Sequence, residues 1–370
     1  MRSLRVTRKH RILVLAAALL LLAALVVPAA ALASHPSRYV LRGVPEIPQL
    51  DYSGCGSAAL AMQFAYWGPK VDYKEIVCVT RTMARGGSLP DMARGGQLSF
   101  KSDAVSDAYP GYQPVKGYAE RKLGYGTFFF ASTTSWFDQL KDIIAQGYPV
   151  QVLTDWTPDE YGPHYRTVVG YDDVKQVVYL NDPWPYGDWL KQYKQPGYKG
   201  WTWPYADFLD VWALPTDNWG LAGYNYAAVV SAPWKVNVKA PADATAGKTF
   251  TVKVRATYRC PAPFGQGPEA TFPTFPASAA KLALLLPRGF KSVGAASTSI
   301  GTSTLTAGAT SAWQSFKVKA PAKKGTWRLR AKGSGFVSGS VPEWGTVYWN
   351  AAYSYTDRIG GIGSQRIAVH

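Results

Sequence analysis

The sequence predicts two folds in series, an α+β domain followed by an all-β immunoglobulin/fibronectin-like sandwich. Three observations carry that expectation. The first half opens with a helical hydrophobic period and continues into strand-like runs. The second half shows only short alternating or β-rich runs separated by Gly-, Pro- and Ala-rich turns. A chain of 370 residues is also too long for one small domain and comfortable for two.

Residues 1–33 read as targeting. Arg2, Arg5, Arg8, Lys9 and Arg11 precede an uncharged apolar run from Ile12 to Val27, and Pro28 and the small residues Ala29 to Ala33 follow. That is a charged region, an apolar region and an Ala31-Leu32-Ala33 cleavage motif, the pattern of a signal peptide. The alternative is an uncleaved N-terminal membrane anchor, since the run spans a bilayer if Pro28 to Ala33 are counted in. Either way the rest of the chain is expected to be extracellular or at the cell surface, with membrane association through this segment in the second case.

The α+β domain is expected over 38–215. Cys55 to Trp67 reads as a helix because Ala58, Ala59, Met62, Ala65 and Tyr66 recur at helical spacing and Gly68-Pro69 stops it. A shorter helix is predicted over Tyr73 to Met83. Another spans Thr134 to Gln146, with Trp136, Leu140, Ile143 and Ile144 on one face. Strands are predicted at Pro149 to Thr154, Tyr165 to Tyr171 and Val177 to Asn181. Residues 216–231 are aromatic and Gly-containing and are expected to form a junction. Residues 232–370 form the sandwich, with strands at Trp234–Val238, Thr249–Thr257, Lys281–Leu286, Ser311–Lys319, Gly325–Lys332, Gly345–Tyr355 and Ser364–Val369. Within it, Ala242 to Thr249 imitates a phosphate-binding loop but runs into a strand rather than a helix, so it reads as a hairpin turn.

The chemistry concentrates at a few positions. Cys55 lies between two glycines at a helix start, where free backbone amides and the helix dipole favour a thiolate, the attacking form of cysteine. Gln49 stands six residues upstream and is placed to join the Cys55 amide in an oxyanion hole. Of the four histidines, His10 lies in the targeting segment, His35 beside its end and His370 at the C-terminus; only His164 lies inside a predicted domain. A hairpin turning at Asp172-Asp173-Val174 that pairs Tyr171 with Lys175 puts His164 opposite Asp182, so that the carboxylate orients the imidazole. No metal or cofactor is expected. Of the three cysteines, Cys78 and Cys260 remain as a candidate disulfide once Cys55 is taken as the working thiol, with unpaired buried thiols as the alternative.

These motifs give a resemblance. Ile47-Pro48-Gln49 with Gly54-Cys55-Gly56, His164-Tyr165 with Val168-Val169-Gly170-Tyr171, and Asn181-Asp182-Pro183 resemble, in the same order, the papain-clan family of bacteriocin-processing (double-glycine leader) peptidases, in its exported "like" branch. The resemblance covers residues 40 to 215 and implies a papain-like cysteine peptidase fold. By it Cys55 and His164 are the catalytic dyad, Asp182 the third member and Gln49 the oxyanion support. Ser57 departs from the family, where proline is common. No ATP-binding or transporter segment accompanies the unit, so the leader-clipping role of transporter-fused members is not carried over.

The expected function is therefore that of an exported thiol-dependent peptidase or amidase, with a peptide or protein substrate. Two alternatives stay open. The dyad could hand its acyl group to an amine, as a transglutaminase-like acyl transferase does, or the scaffold could be a non-catalytic cell-surface binding protein. Trp184, Tyr186, Trp189, Trp201, Trp203 and Tyr205 supply either a stacking rim for such binding or a core lining. Formal net charge is +16, and +11 once the five cations before residue 34 are set aside. That balance suits a cell wall or another anionic surface, but the cations are scattered through β-like segments without a groove-reading helix, so a solvated surface accounts for them and no nucleic-acid partner is expected.

Overall fold

The computed structural model describes residues 35–50, 53–68, 71, 73–80, 82, 87, 91–92, 95–96, 126–132, 136–160, 162–184, 199–213, 223–261, 276–341 and 353–370. The expected targeting segment, Tyr186, Trp189 and most of 345–355 lie outside them. Among the described residues no helix is long and apolar enough to cross a membrane.

The first part is a seven-stranded sheet crossed by a buried helix. Its strands are β1 (Arg38–Val40), β2 (Thr127–Ser132), β3 (Val150–Thr154), β4 (His164–Asp172), β5 (Val177–Asn181), β6 (Lys199–Pro204) and β7 (Asn225–Val230). The order is β2-β7-β3-β4-β5-β6, and β1 pairs with the end of β4. Helix α1 (Cys55–Trp67) is buried from Cys55 to Phe64, which explains why its small and apolar residues occur all round rather than on one stripe. It ends where predicted, with Gly68 in the left-handed conformation and its N–H returned to the Phe64 and Ala65 carbonyls. Helices α2 (Tyr73–Val79), α3 (Phe137–Ala145) and α4 (Tyr205–Trp212) flank the sheet. Helix α2 stops short of the predicted Met83. Thr80 turns its hydroxyl back to the Ile76 carbonyl and, with Thr82, to the Ser57 hydroxyl at 2.9 and 2.7 Å. Ser57, the departure from the family pattern, is thus held by a buried hydroxyl cluster.

Buried polar side chains tie α1 to the sheet. The Gln63 Oε1 accepts the Val230 N–H at 2.7 Å, the Gln151 amide donates to the Gly56 carbonyl at 3.1 Å, and the Thr167 hydroxyl to Ala59 at 3.5 Å. On the other side of the sheet Leu140, Ile143 and Ile144 of α3 join Val150, Val152, Val168, Tyr171, Trp201, Trp203, Phe208 and Trp212 in one core cluster. Gly170 is a consequence of β1: a Cβ there would sit 2.8 Å from the Tyr39 carbonyl oxygen.

Two expectations about this half change. Residues 216–231 are not all junction, since Asn225–Val230 is β7, hydrogen-bonded between β2 and β3 inside the sheet. The hairpin register also differs. Thr167 faces Asn181 and Val168 faces Leu180, a slip of two from the predicted pairing, and an irregularity at Val169 shifts it by one more, so that Tyr171 faces Val178 rather than Lys175. The turn is longer than predicted, with Asp172 Oδ1 accepting the Val174 and Lys175 N–H groups and Gln176 at φ 55°.

The remaining described strands form two sheets. One runs β12-β14-β10-β8, from β8 (Lys235–Lys239), β10 (Thr249–Thr257), β12 (Lys291–Val293) and β14 (Gln314–Lys319). The other runs β13-β11-β15-β16-β9, from β9 (Asp243–Ala244), β11 (Ser278–Leu285), β13 (Ser297–Ser299), β15 (Gly325–Val341) and β16 (Tyr353–Val369). Val252, Val254 and Phe316 of the first and Leu282, Leu329 and Ile367 of the second belong to one hydrophobic cluster. The expected breaks around 333–344 and 356–363 give way to two 17-residue strands paired continuously from Gly325↔Val369 to Val341↔Tyr353. The glycines that suggested turns serve a close crossing instead. A Cβ on Gly361 would lie 2.0 Å from the Trp234 carbonyl oxygen, and one on Gly363 1.8 Å from that of Val236.

Cys260 is a free thiol donating to the Pro261 carbonyl at 3.4 Å, so the candidate bridge to Cys78 is not made.

Candidate active site

Strand β4 is buried along its whole length, and at its start it carries two polar side chains two residues apart on one face, His164 and Arg166. Both point at Asp182, just past the end of β5. His164 Nε2 lies 2.8 Å from Asp182 Oδ1, and Arg166 Nε donates to Oδ2 at 2.7 Å. The Trp184 N–H gives Oδ1 a further bond at 2.9 Å. The three side chains are 2–3% exposed. Extended by the observed register, Asp182 stands opposite Arg166, and His164 is its diagonal neighbour. The predicted pairing was off by an even number of residues. An even slip keeps every side chain on its face, so histidine and aspartate still meet.

Arg166 was not foreseen as a site residue. Its Nη1 donates to the Thr154 hydroxyl and to the Asp155 carbonyl at 3.0 Å, and its Nη2 to the Trp156 carbonyl at 2.6 Å. The guanidinium lies 4.5 Å from the Trp203 ring centroid and 5.6 Å from that of Trp201. Trp201, Trp203 and Tyr205, considered as a rim, are thus buried core. The sequence does contain a signal: a cation two residues after the histidine, in a run otherwise fit for burial, needs a carboxylate on the same face, and Asp182 is the one the hairpin brings there. Trp156 and Trp184 enclose the imidazole, with ring centroids 4.1 and 6.3 Å from it.

The Asn181-Asp182-Pro183 run connects this array to Gln49. Asn181 Nδ2 donates to the Val44 and Pro45 carbonyls at 3.4 and 3.3 Å, and the Pro183 carbonyl accepts the Gln49 N–H at 2.7 Å. Gln49 is itself buried, at 1% exposure. Cys55 opens α1 with its sulfur approached by the Tyr165 and Gly56 backbone N–H groups. Gly56 is approached by protein rather than left open, since a Cβ there would lie 2.9 Å from the Tyr165 ring and 3.0 Å from the Met92 sulfur. The hydrogen bonds made by the His164 ring and the Cys55 sulfur do not include one to each other.

Burial decides the electrostatics. It pushes the Cys55 thiol up to about 11 against the two amide bonds, with the Asp182 charge adding to the rise and Arg166 opposing it. Burial also pulls His164 below its ordinary value, more than Asp182 raises it. Asp182 is held well below the usual carboxylate range because His164 and Arg166 outweigh its own desolvation. Burial thus works against the thiolate expected at the helix start and favours the neutral thiol and the neutral imidazole. Among the described residues no group of three or more His, Cys, Asp and Glu is placed to hold a metal.

Residues 41–213 match the model of the Peptidase_C39 like family. The match takes in just under half of the chain and makes this segment similar to that family. The match begins just after β1 and ends just after α4, and it contains Gln49, Cys55, His164 and Asp182. Among solved structures, the peptidase domain of Streptococcus ComA, described as a bi-functional ABC transporter involved in a quorum-sensing pathway, aligns at 14% identity and a TM-score of 0.31, over 51% of this chain and 98% of that one. No curated protein sequence matches significantly. The family likeness rests on the sequence match, and a Peptidase_C39-like domain supports a peptidase-type function acting on peptide or protein.

Proposed function

We propose that this protein is an exported cysteine peptidase in which Cys55 attacks a peptide carbonyl with His164 as base. The observation that carries the reading is the buried His164–Asp182–Arg166 array, together with a cysteine that opens helix α1 and feels the Asp182 and Arg166 charges. Asp182 engages Nε2 of His164, which leaves Nδ1 as the nitrogen that takes the thiol proton. As the sulfur adds to the carbonyl carbon, His164 receives that proton and then gives it to the departing amine, leaving a thioester. Water, deprotonated by His164, cleaves the thioester and restores the thiol. The Cys55 N–H and the Gln49 amide are the donors for the oxyanion. Arg166 neutralises Asp182 at rest, so the carboxylate stays ionised in a buried place and answers the imidazolium when it forms. Since thiol and imidazole start neutral, proton transfer accompanies substrate attack rather than preceding it.

The two sheets of the C-terminal part, sharing one core, support reading them as an immunoglobulin/fibronectin-like sandwich over 232–370, with residues 1–33 as the export signal or anchor. The test is a peptide chloromethyl ketone, read by intact mass. One adduct on the wild type, absent in Cys55→Ala and strongly slowed in His164→Ala, supports the reading; equal labelling of wild type and His164→Ala sinks it.

A further inference from the structure

Once the five cations of residues 1–33 are set aside, the chain's net positive charge lies in one half. Residues 232–370 hold 18 Lys and Arg against 4 Asp and Glu, and the segment 34–231 holds more acids than bases. Strand pairing then gathers cations that the sequence disperses. The strands β8, β10, β12 and β14 contain no acidic residue. Their inward positions are Val236, Val252, Val254, Phe316 and Val318, and the alternate positions put Lys239, Lys253, Lys291, Lys317 and Lys319 in solvent. Lys253 directly faces Lys239, and Lys291 directly faces Lys319. On the other sheet Arg328 directly faces Arg366. Like charges directly opposed across a strand pair destabilise a sheet, and neighbouring strands are only about 4.8 Å apart. Three such pairs without a carboxylate between them form a counter-charge site rather than the mixed-sign surface that favours solubility alone.

We infer that the four-stranded face, Lys239, Lys253, Lys291, Lys317 and Lys319, is a docking surface for a flexible phosphodiester polymer that carries no bases. Cations occupy both sheets, more than a single flat bilayer contact would use. Among the described residues, the one exposed aromatic side chain on these strands' margins, Trp313, is itself covered by Arg255 at 4.6 Å, so the described face offers no open stacking platform of the kind that grips single-stranded nucleic acid. What the face offers is regularly spaced charge, which binds a polyanion by releasing its counterions. This surface is independent of the peptide-bond chemistry.

The experiment measures binding of the full-length protein to poly(glycerol phosphate), to phosphatidylglycerol vesicles and to single-stranded DNA across salt concentration. Two variants lose equal charge: Lys239→Gln/Lys253→Gln/Lys317→Gln/Lys319→Gln on the face, and Lys175→Gln/Lys248→Gln/Lys323→Gln/Lys324→Gln in turns. The wild type should bind the polymer most tightly. The face variant should lose about tenfold or more in affinity at low salt, with the log–log salt slope reduced by about three, while the turn variant changes little. Thermal melting, unchanged or raised once the like-charge pairs are relieved, separates lost binding from lost folding. Equal losses in the two variants, or tighter binding of the wild type to vesicles or DNA, would overturn the assignment.

Discussion

Replacing Arg166 by Met tests the buried array most severely. The side chain is 2% exposed and contributes a charge-assisted bond of 2.7 Å to Asp182 as well as bonds to Thr154 and to the Asp155 and Trp156 carbonyls. Methionine keeps most of the apolar volume between Trp201 and Trp203 but strands a buried carboxylate. Removing one member of such a pair costs about 3–5 kcal/mol, against a typical whole-domain stability of about 5–15 kcal/mol. Asp182→Asn alone strands the guanidinium at similar cost. In the double variant neither charge is left over, so much of one penalty disappears. A double-mutant cycle by urea denaturation should therefore give a coupling energy of at least about 2 kcal/mol. Observing His164 by NMR in the same variants separates electrostatics from packing. Arg166 lowers the His164 pKa and Asp182 raises it, so Arg166→Met moves it up and Asp182→Asn moves it down. Additive stabilities together with an unmoved histidine would refute the reasoning.

Three further outcomes follow from the same geometry. Stability should hold a plateau between about pH 6.5 and 8.5. Below it the unfolded His164 takes up a proton that the buried ring refuses, and at still lower pH the depressed Asp182 adds its loss; above it the raised Cys55 and Cys260 thiols, at about 11 and 12, ionise first in the unfolded chain. Thermal melts across pH check this, and His164→Gln should remove the limb that begins as pH falls below about 6.5. Iodoacetamide labelling of Cys55 without substrate should rise with pH toward about 11 and at pH 7 be roughly 100-fold slower than a free thiol, measured by mass spectrometry; a reactive limb centred near pH 4 would show a resting ion pair instead. Gly170→Ala should cost about 1–3 kcal/mol in urea melts, because its Cβ meets the Tyr39 carbonyl that brings β1 to the sheet; an unchanged midpoint would mean that β1 is dispensable.

Sequence reading succeeded where one local rule governed. Helix α1 shows both its bounds in the pattern, since the run of small and apolar residues and Gly68 answer to local chemistry. It went astray where partners are remote. The β4–β5 turn holds four residues because Asp172 caps it and Gln176 takes a left-handed conformation, and neither fact is visible in strand composition. The face of Asp182 survived only because the register error was even. Gly333, Gly361 and Gly363 look like turn residues until β8 is seen to cross over β16. Arg166 was legible in principle from its position two residues past His164, as was the concentration of charge in the second half, which a whole-chain total conceals. The raised thiol was not legible, because a helix start suggests a lowered one and only packing by Met92, Leu153 and Tyr165 reveals the burial that reverses it.

The central claim, that the Cys55 thiol and the His164 imidazole together break peptide bonds, is tested most directly by digesting a defined peptide mixture and identifying new termini by mass spectrometry, with circular dichroism confirming that each variant is folded. The account predicts cleavage by the wild type, none by Cys55→Ala, and a loss of at least about 100-fold in His164→Ala. Undiminished cleavage by folded Cys55→Ala, or no cleavage by the wild type, would contradict it.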